Sequence, residues 1–163
     1  DNRVGDLNDE RYRLMWDNIP PWYHLDIGDW FAQRGAVFSF TSYPQYFWDG
    51  LYLDGGTMDP ETPFESLSRY YMAKNPHVIG RISLERLKRT LKEWHCDGLV
   101  VHANRGCQIL SMSVYEKLKA ASDIGVAAMS FESEMADPRS FSDGQVLTRI
   151  EAFLESIERR KGK

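Results

Sequence analysis

Short apolar runs alternate with longer stretches of helical spacing in this chain. Arg13 to Asp17 places Leu14, Met15 and Trp16 in succession and predicts a first strand, closed by Pro20-Pro21. Trp22 to Arg34 sets Leu25, Ile27 and Phe31 among polar residues and stops at Gly35, the pattern of a helix with glycine past its C-terminus. Ala36 to Phe40 is brief and apolar, a second strand. Thr41 to Pro60 reads as a long connection rich in Tyr, Trp, Phe, Gly and Asp. Connections of that length in a compact domain are functional or disordered, and the aromatics argue against disorder.

Thr62-Pro63-Phe64-Glu65 spells a capping box with proline at the first helical position, launching a helix to about Asn75, where Asn75-Pro76 ends it. Ser83 is placed to cap the next helix, in which Leu84, Leu87, Leu91 and Trp94 keep helical spacing. Leu99 to Ala103 is the third strand, a nearly continuous apolar run of the kind that parallel sheets bury on both faces. Ser113 and Glu116 have capping-box spacing and open a helix through Ala121; Val126 to Phe131 is the fourth strand. In the last helix Ser142 and Gln145 make the box and Phe141 and Val146 the staple. Val146, Ile150, Phe153, Leu154 and Ile157 line one face.

This succession predicts right-handed βαβ units, hence an α/β fold: an open four-stranded parallel sheet ordered 2-1-3-4, with helices on both faces, flavodoxin- or Rossmann-like. Residues 1–10 read as a tail or the end of a preceding helix, 11–158 as a single α/β domain, and 159–163 as a basic tail. In such sheets ligands lie beyond the carboxyl ends of the strands, where the strand order switches. Those ends are residues 17–21, 41–48, 103–108 and 132–139.

Composition narrows the function classes. With 163 residues and 42% hydrophobic content the chain is too apolar for disorder and long enough for one cored domain. Twenty basic against 24 acidic groups leave a net charge of −4 and no basic stripe, which argues against a nucleic-acid partner. No run of about 18 apolar residues predicts a membrane-spanning helix. Two cysteines, Cys96 and Cys107, are too few for a disulfide framework, and Asp1-Asn2-Arg3 opens no secretory signal, so the expected setting is reducing and cytoplasmic. The polar start without Met suggests a piece of something longer.

The candidate chemistry falls at the strand ends. Asn104-Arg105-Gly106-Cys107-Gln108 follows the third strand, and a cysteine just before a helix N-terminus feels that end's positive dipole. Such a thiolate serves as nucleophile, redox thiol or metal ligand; the alternative is a half-buried structural cysteine. Cys96, at the foot of the same strand, reads as a core residue. Glu132, Glu134 and Asp137 follow the fourth strand, where carboxylates act as base, ligand or acceptor, or simply form a solvated loop. His24, His77, His95 and His102 have no ligand spacing, which disfavours a mononuclear zinc site, and no phosphate-cradling glycine pattern opens any helix. Tyr43, Tyr46, Phe47, Trp48 and Tyr52 would wall an apolar acyl or aryl pocket, or else pack against a neighbour.

Five segments carry a resemblance: Arg11 to Asp17 with Pro20-Pro21-Trp22; Asp97-Gly98-Leu99-Val100; Asn104-Arg105-Gly106-Cys107; Phe131 to Arg139; and Thr148 to Glu155. In order and spacing they resemble the C-terminal α/β domain of the 2-hydroxyacyl-CoA dehydratase and benzoyl-CoA reductase family, the dehydratase D-component. The resemblance implies a subunit holding a [4Fe–4S] cluster on three cysteine thiolates, with one iron site open, and maps one of the three to Cys107. The other two would come from the N-terminal half of a full-length subunit. It also implies a homologous second subunit, an ATP-hydrolysing iron–sulfur activator and an acyl-CoA substrate. In the dehydratases an electron reaches the thioester carbonyl, and the resulting ketyl radical expels the 2-hydroxyl; in the reductases the electron enters an aromatic ring. On this reading Asn104, Arg105, Gly106, Gln108, Tyr43, Trp48 and Glu132 contact substrate, and the chain by itself is inactive, since one thiolate does not retain a cluster. Two rival readings are an acyl-CoA or partner-binding module without a cluster, and a thiol enzyme with Cys107 as nucleophile and His102 as its base.

Overall fold

The computed structural model describes residues 9–44, 58–73 and 81–162. Four parallel strands, β1 (Tyr12–Asp17), β2 (Ala36–Thr41), β3 (Gly98–Asn104) and β4 (Ala127–Ser133), form one sheet in the order β2-β1-β3-β4. The expected architecture and strand order are therefore the observed ones. The strands run one or two residues past their expected ends because the ladders do: Tyr12 pairs with Ala36 and Asn104 with Ser133.

The helices around the sheet include α1 (Ile27–Ala32), α2 (Pro63–Ala73), α3 (Arg81–Glu93), α4 (Gln108–Ser111), α5 (Val114–Asp123) and α6 (Asp143–Lys161). Alternation along each strand sends side chains to opposite faces. Leu14, Trp16, Val100, Met129 and Phe131 meet Phe31 of α1 and Ile150, Phe153 and Ile157 of α6 in one core layer. Met15, Leu99 and Val101 meet Leu87 and Leu91 of α3 and Ala121 of α5 in the other. Cys96 is buried in this second layer, at the amino end of β3.

Two helix starts differ from expectation, while those at Pro63, after Ser113 and after Ser142 are the expected ones. The predicted helix over 22–34 forms only at Ile27–Ala32, because the Pro20-Pro21 exit turns first, with His24 N–H donating to Pro21 O at 2.9 Å. The turn that follows the helix closes at Gly35, whose φ of 72° is the left-handed value glycine tolerates. Ser83 lies inside α3 rather than capping it, and Trp94 follows the helix, packed on Phe40 at 5.2 Å between ring centroids. Ser113 and Ser142 occupy the N-cap positions of α5 and α6 without a side-chain capping bond. The Thr62 hydroxyl donates to Asp59 Oδ2 (3.3 Å) rather than closing a box. α5 continues to Asp123 and α6 to Lys161, so Arg159 and Arg160 belong to the last helical turn.

Candidate functional site at the carboxyl edge of the sheet

The edge is built on a buried polar network. Where β1 ends, Asp17 accepts from Lys117 Nζ of α5 (2.6 Å) and from Ser42 Oγ (2.7 Å), with Asp17 and Lys117 both buried. Ser42 Oγ in turn accepts from Asn18 N–H (3.1 Å). Asn18 takes a φ of 82°, and its carboxamide spans two strands, donating to His102 O (2.8 Å) and accepting from Ile19 N–H (2.8 Å). Asparagine reaches this left-handed conformation more readily than most residues because its short polar side chain bonds locally. His102, fully buried, bonds Ile19 O through Nδ1 and Ser133 Oγ through Nε2 (2.7 Å), tying the ends of β1, β3 and β4 together. Burial pushes the imidazole below its ordinary pKa, against the raising pulls of the Ile19 carbonyl, the Glu134 charge and Ser133.

The turn after β3 is held from several sides. Asn104 Oδ1 accepts from Gly106 N–H (3.0 Å), Asn104 O accepts from Cys107 N–H (3.2 Å) and Ser111 Oγ (2.8 Å), and Arg105 N–H donates to Ser133 O (2.9 Å). A side chain at 106 would meet the carboxylate tip of Glu134, which would have to swing aside. Cys107 is half-buried, packed on Ile19 and Leu110 near Tyr43 and Met135. The α4 that follows it is a single turn, so the helix-end field expected from the sequence is that of four residues.

The carboxylates at the end of β4 and beyond it do not converge. Glu132 pairs with Arg105 (2.5 Å) in an exposed bridge; Glu134 Oε2 accepts from Ala136 N–H (3.2 Å); Asp137 caps the short 3-10 turn Pro138–Ser140. Arg139 grips Asp137 with side-chain and backbone donors and holds its carboxyl down to about 2. Among the described residues, no three His, Cys, Asp or Glu side chains form a metal-binding group.

At the carboxyl ends of β1 and β2 lies an apolar cavity of about 280 Å³ lined by Trp16, Pro20, Trp22, Ile27, Phe38 and Tyr43. Trp22 and Tyr43 meet edge to face at 5.8 Å, and Trp22 N–H donates to Met135 O (2.9 Å). Of the predicted aromatic wall, Tyr43 is at this cavity, while Tyr46, Phe47, Trp48 and Tyr52 lie outside the described residues, as does His77. The edge thus gathers Asn104, Arg105, Gly106, Cys107 and Glu132 around one turn. Sequence reasoning missed Asp17, Asn18, Ser42 and Lys117; an Asn-Ile-Pro-Pro exit from a strand was the one available signal.

Comparison with known proteins then fixes the lineage. The family model for the 2-hydroxyglutaryl-CoA dehydratase D-component matches residues 1–157. The chain belongs to this family. The alpha subunit of (R)-2-hydroxyisocaproyl-CoA dehydratase of Clostridioides difficile is 31% identical over 94% of the chain and 36% of its own length. One of the benzoyl-CoA reductase subunits of Thauera aromatica is 29% identical, over 96% of the chain and 36% of its own length. The alpha subunit of lactoyl-CoA dehydratase of Anaerotignum propionicum is 28% identical, over 91% and 34%. This D-component family member therefore spans about a third of the length of these relatives.

The donor set of the D-component chain bears on the iron–sulfur cluster that the resemblance implies. It fits one anchoring position: Cys107 presents a half-buried thiol among apolar side chains, and three residues earlier Asn104 Nδ2 is a buried donor with no partner among the described residues. A complete site would draw its remaining thiolates from elsewhere, because Cys96 lies at the opposite end of β3.

Proposed function

We propose that the chain is the C-terminal α/β part of an iron–sulfur subunit of a cytoplasmic 2-hydroxyacyl-CoA dehydratase, and that Cys107 gives the cluster one of its three thiolates. The observation that carries this reading is the placement of Cys107. It is a half-buried thiol at the carboxyl edge of a parallel sheet, where such folds bind ligands, in a chain of the D-component family. A bound cluster of this type supplies a low-potential electron, received from an ATP-hydrolysing activator, for removing water from a 2-hydroxyacyl-CoA.

The protein's own contribution is orientation and exclusion of water. The apolar cavity between β1 and β2 takes the acyl or aryl part of the substrate, with Tyr43 on its wall. Gly106 keeps the main chain beside the thioester free of a side chain of its own, and the amide of Gln108, the first residue of α4, faces the reacting end, while that of Gly106 is held by Asn104 Oδ1. Arg105, paired with Glu132 at the exposed rim, meets the polar part of the CoA ester, and Trp48 belongs to the same substrate wall. A homologous second subunit and the N-terminal half of this one complete the enclosure, as the relatives' names as alpha subunits and their threefold greater length suggest. Membership of a benzoyl-CoA reductase is the second reading, favoured by the match to the Thauera aromatica reductase over 96% of the chain and by the aromatic cavity wall. In both readings Cys107 has the same role. Replacing it with Ser in the assembled enzyme is expected to lower iron content and abolish the iron–sulfur EPR signal of this subunit. Unchanged iron and an unchanged signal would refute the assignment.

A further inference from the structure

Three buried side-chain atoms among the described residues lack a hydrogen-bond partner: Tyr23 Oη, His24 Nε2 and Asn104 Nδ2. Tyr23 and His24 belong to a partly exposed aromatic cluster with Trp30 and Phe141, whereas Asn104 is wholly buried. The orientation of the Asn104 carboxamide is not free. Its Oδ1 accepts from Gly106 N–H at 3.0 Å, and the flipped amide would set donor against donor. The nitrogen is therefore a fixed donor in the turn that carries Cys107.

Nothing about the turn itself requires that nitrogen. A serine or aspartate oxygen makes the same local bond to an N–H two residues on. The main-chain oxygen of Asn104 already has Cys107 N–H and Ser111 Oγ, and Arg105 N–H has Ser133 O. A buried donor left unmet is destabilising, and folded proteins rarely leave one. In a turn where the neighbouring groups are satisfied, the open donor points to an acceptor that arrives with another component. We infer that Asn104 Nδ2 donates a hydrogen bond to a sulfur of the group anchored by Cys107. This makes Asn104 a second contact from this chain and a determinant of that group's reduction potential. The inference rests on the reading of Cys107 as a ligand. Hydrogen bonds to cluster sulfurs stabilise the added negative charge of the reduced state and so raise the potential.

The test uses the anaerobically purified heteromeric enzyme containing this chain, with iron analysis and an EPR-monitored redox titration. In Asn104→Ser a hydroxyl can still accept from Gly106 N–H while the amide donor is gone. The expected result is retained iron and a potential shifted to more negative values, with Asn104→Asp shifted at least as far because it adds charge as well. Asn104→Ser holding its iron at the wild-type potential would overturn the inference. Should the variants lose iron or fail to fold, unaltered enzyme decides the matter. With the asparagine side chains labelled with ¹⁵N, electron–nuclear double resonance is expected to show a ¹⁵N coupling and an exchangeable proton on the cluster, and their absence would overturn it equally. The Cys107→Ser variant separates the two levels: iron retained there removes the ligand reading itself, whereas iron lost there with no effect at Asn104 removes only the present inference.

Discussion

His102 shows how much of this edge is decided by single hydrogen atoms. A carbonyl only accepts, so the bond to Ile19 O places the proton on Nδ1 and leaves Nε2 to accept from the Ser133 hydroxyl. The ring also stacks on Phe131 at 5.0 Å, and it is fully buried. Both nitrogens are thus engaged, which removes the role of base for a Cys107 nucleophile. Protonation would put a second donor at Nε2 and a charge in the core, which is why burial lowers its pKa. With the folded value below the unfolded one, the unfolded chain binds the extra proton first, so stability rises with pH across that interval. It is complete above the ordinary value of about 6.5 and declines as pH falls from there toward the folded value. The urea midpoint of the chain is expected to drop between about pH 7.5 and about pH 5.5, and His102→Gln to flatten that drop. An equally steep decline in the variant would show that other groups drive it.

Between elements, the strongest polar tie is the one from α5 to the end of β1. Lys117 and Asp17 bond at 2.6 Å with both side chains almost wholly buried. Removing one partner leaves an uncompensated charge in the interior, so Lys117→Met is expected to destabilise the chain by about 3–5 kcal/mol. Asp17→Asn combined with Lys117→Met should recover part of that loss, because neither charge then remains; denaturant titration of the three variants measures the cycle. This tie also marks where sequence reading stopped. Strand order was legible because Leu14, Val100 and Val101 sit in apolar runs that only a doubly covered sheet can bury. The last helix was legible from Ile150, Phe153 and Ile157, and the turn of Asn104 to Cys107 from its place after the third strand. A lone lysine on a helix reads as a solvated cation, however, and nothing local tells that Lys117 faces Asp17 a hundred residues away. The starts of α5 and α6 were legible from Ser113 and Ser142, which occupy the N-cap positions although their hydroxyls make no capping bond; the start of α3 was not, because Ser83 lies inside it.

Across the whole molecule the two edges of the sheet differ in kind. The amino edge is charged and tied to the last helix, through Arg11 with Glu158 and Lys161 with Asp97 (2.8 Å). The carboxyl side carries the exposed apolar residues Trp22, Leu25, Ile109 and Met112. The two cysteines are divided between these edges. Cys96 precedes the seven-residue β3 and Cys107 follows it; at about 3.3 Å per residue the strand alone spans roughly 20 Å. That is far beyond the reach of two thiolates on one small cluster. Iron–sulfur clusters of this type depend on several thiolates acting together, and the described residues bring no other metal-binding group to the edge. The chain by itself is therefore expected to keep no cluster after anaerobic incubation with iron and sulfide. Gel filtration should return protein without iron–sulfur absorbance, whereas co-expression with the N-terminal half that the proposed function calls for should restore it. A stable, stoichiometric cluster on the chain alone would mean that its ligands are not those assigned here, and the role of Cys107 would have to be withdrawn.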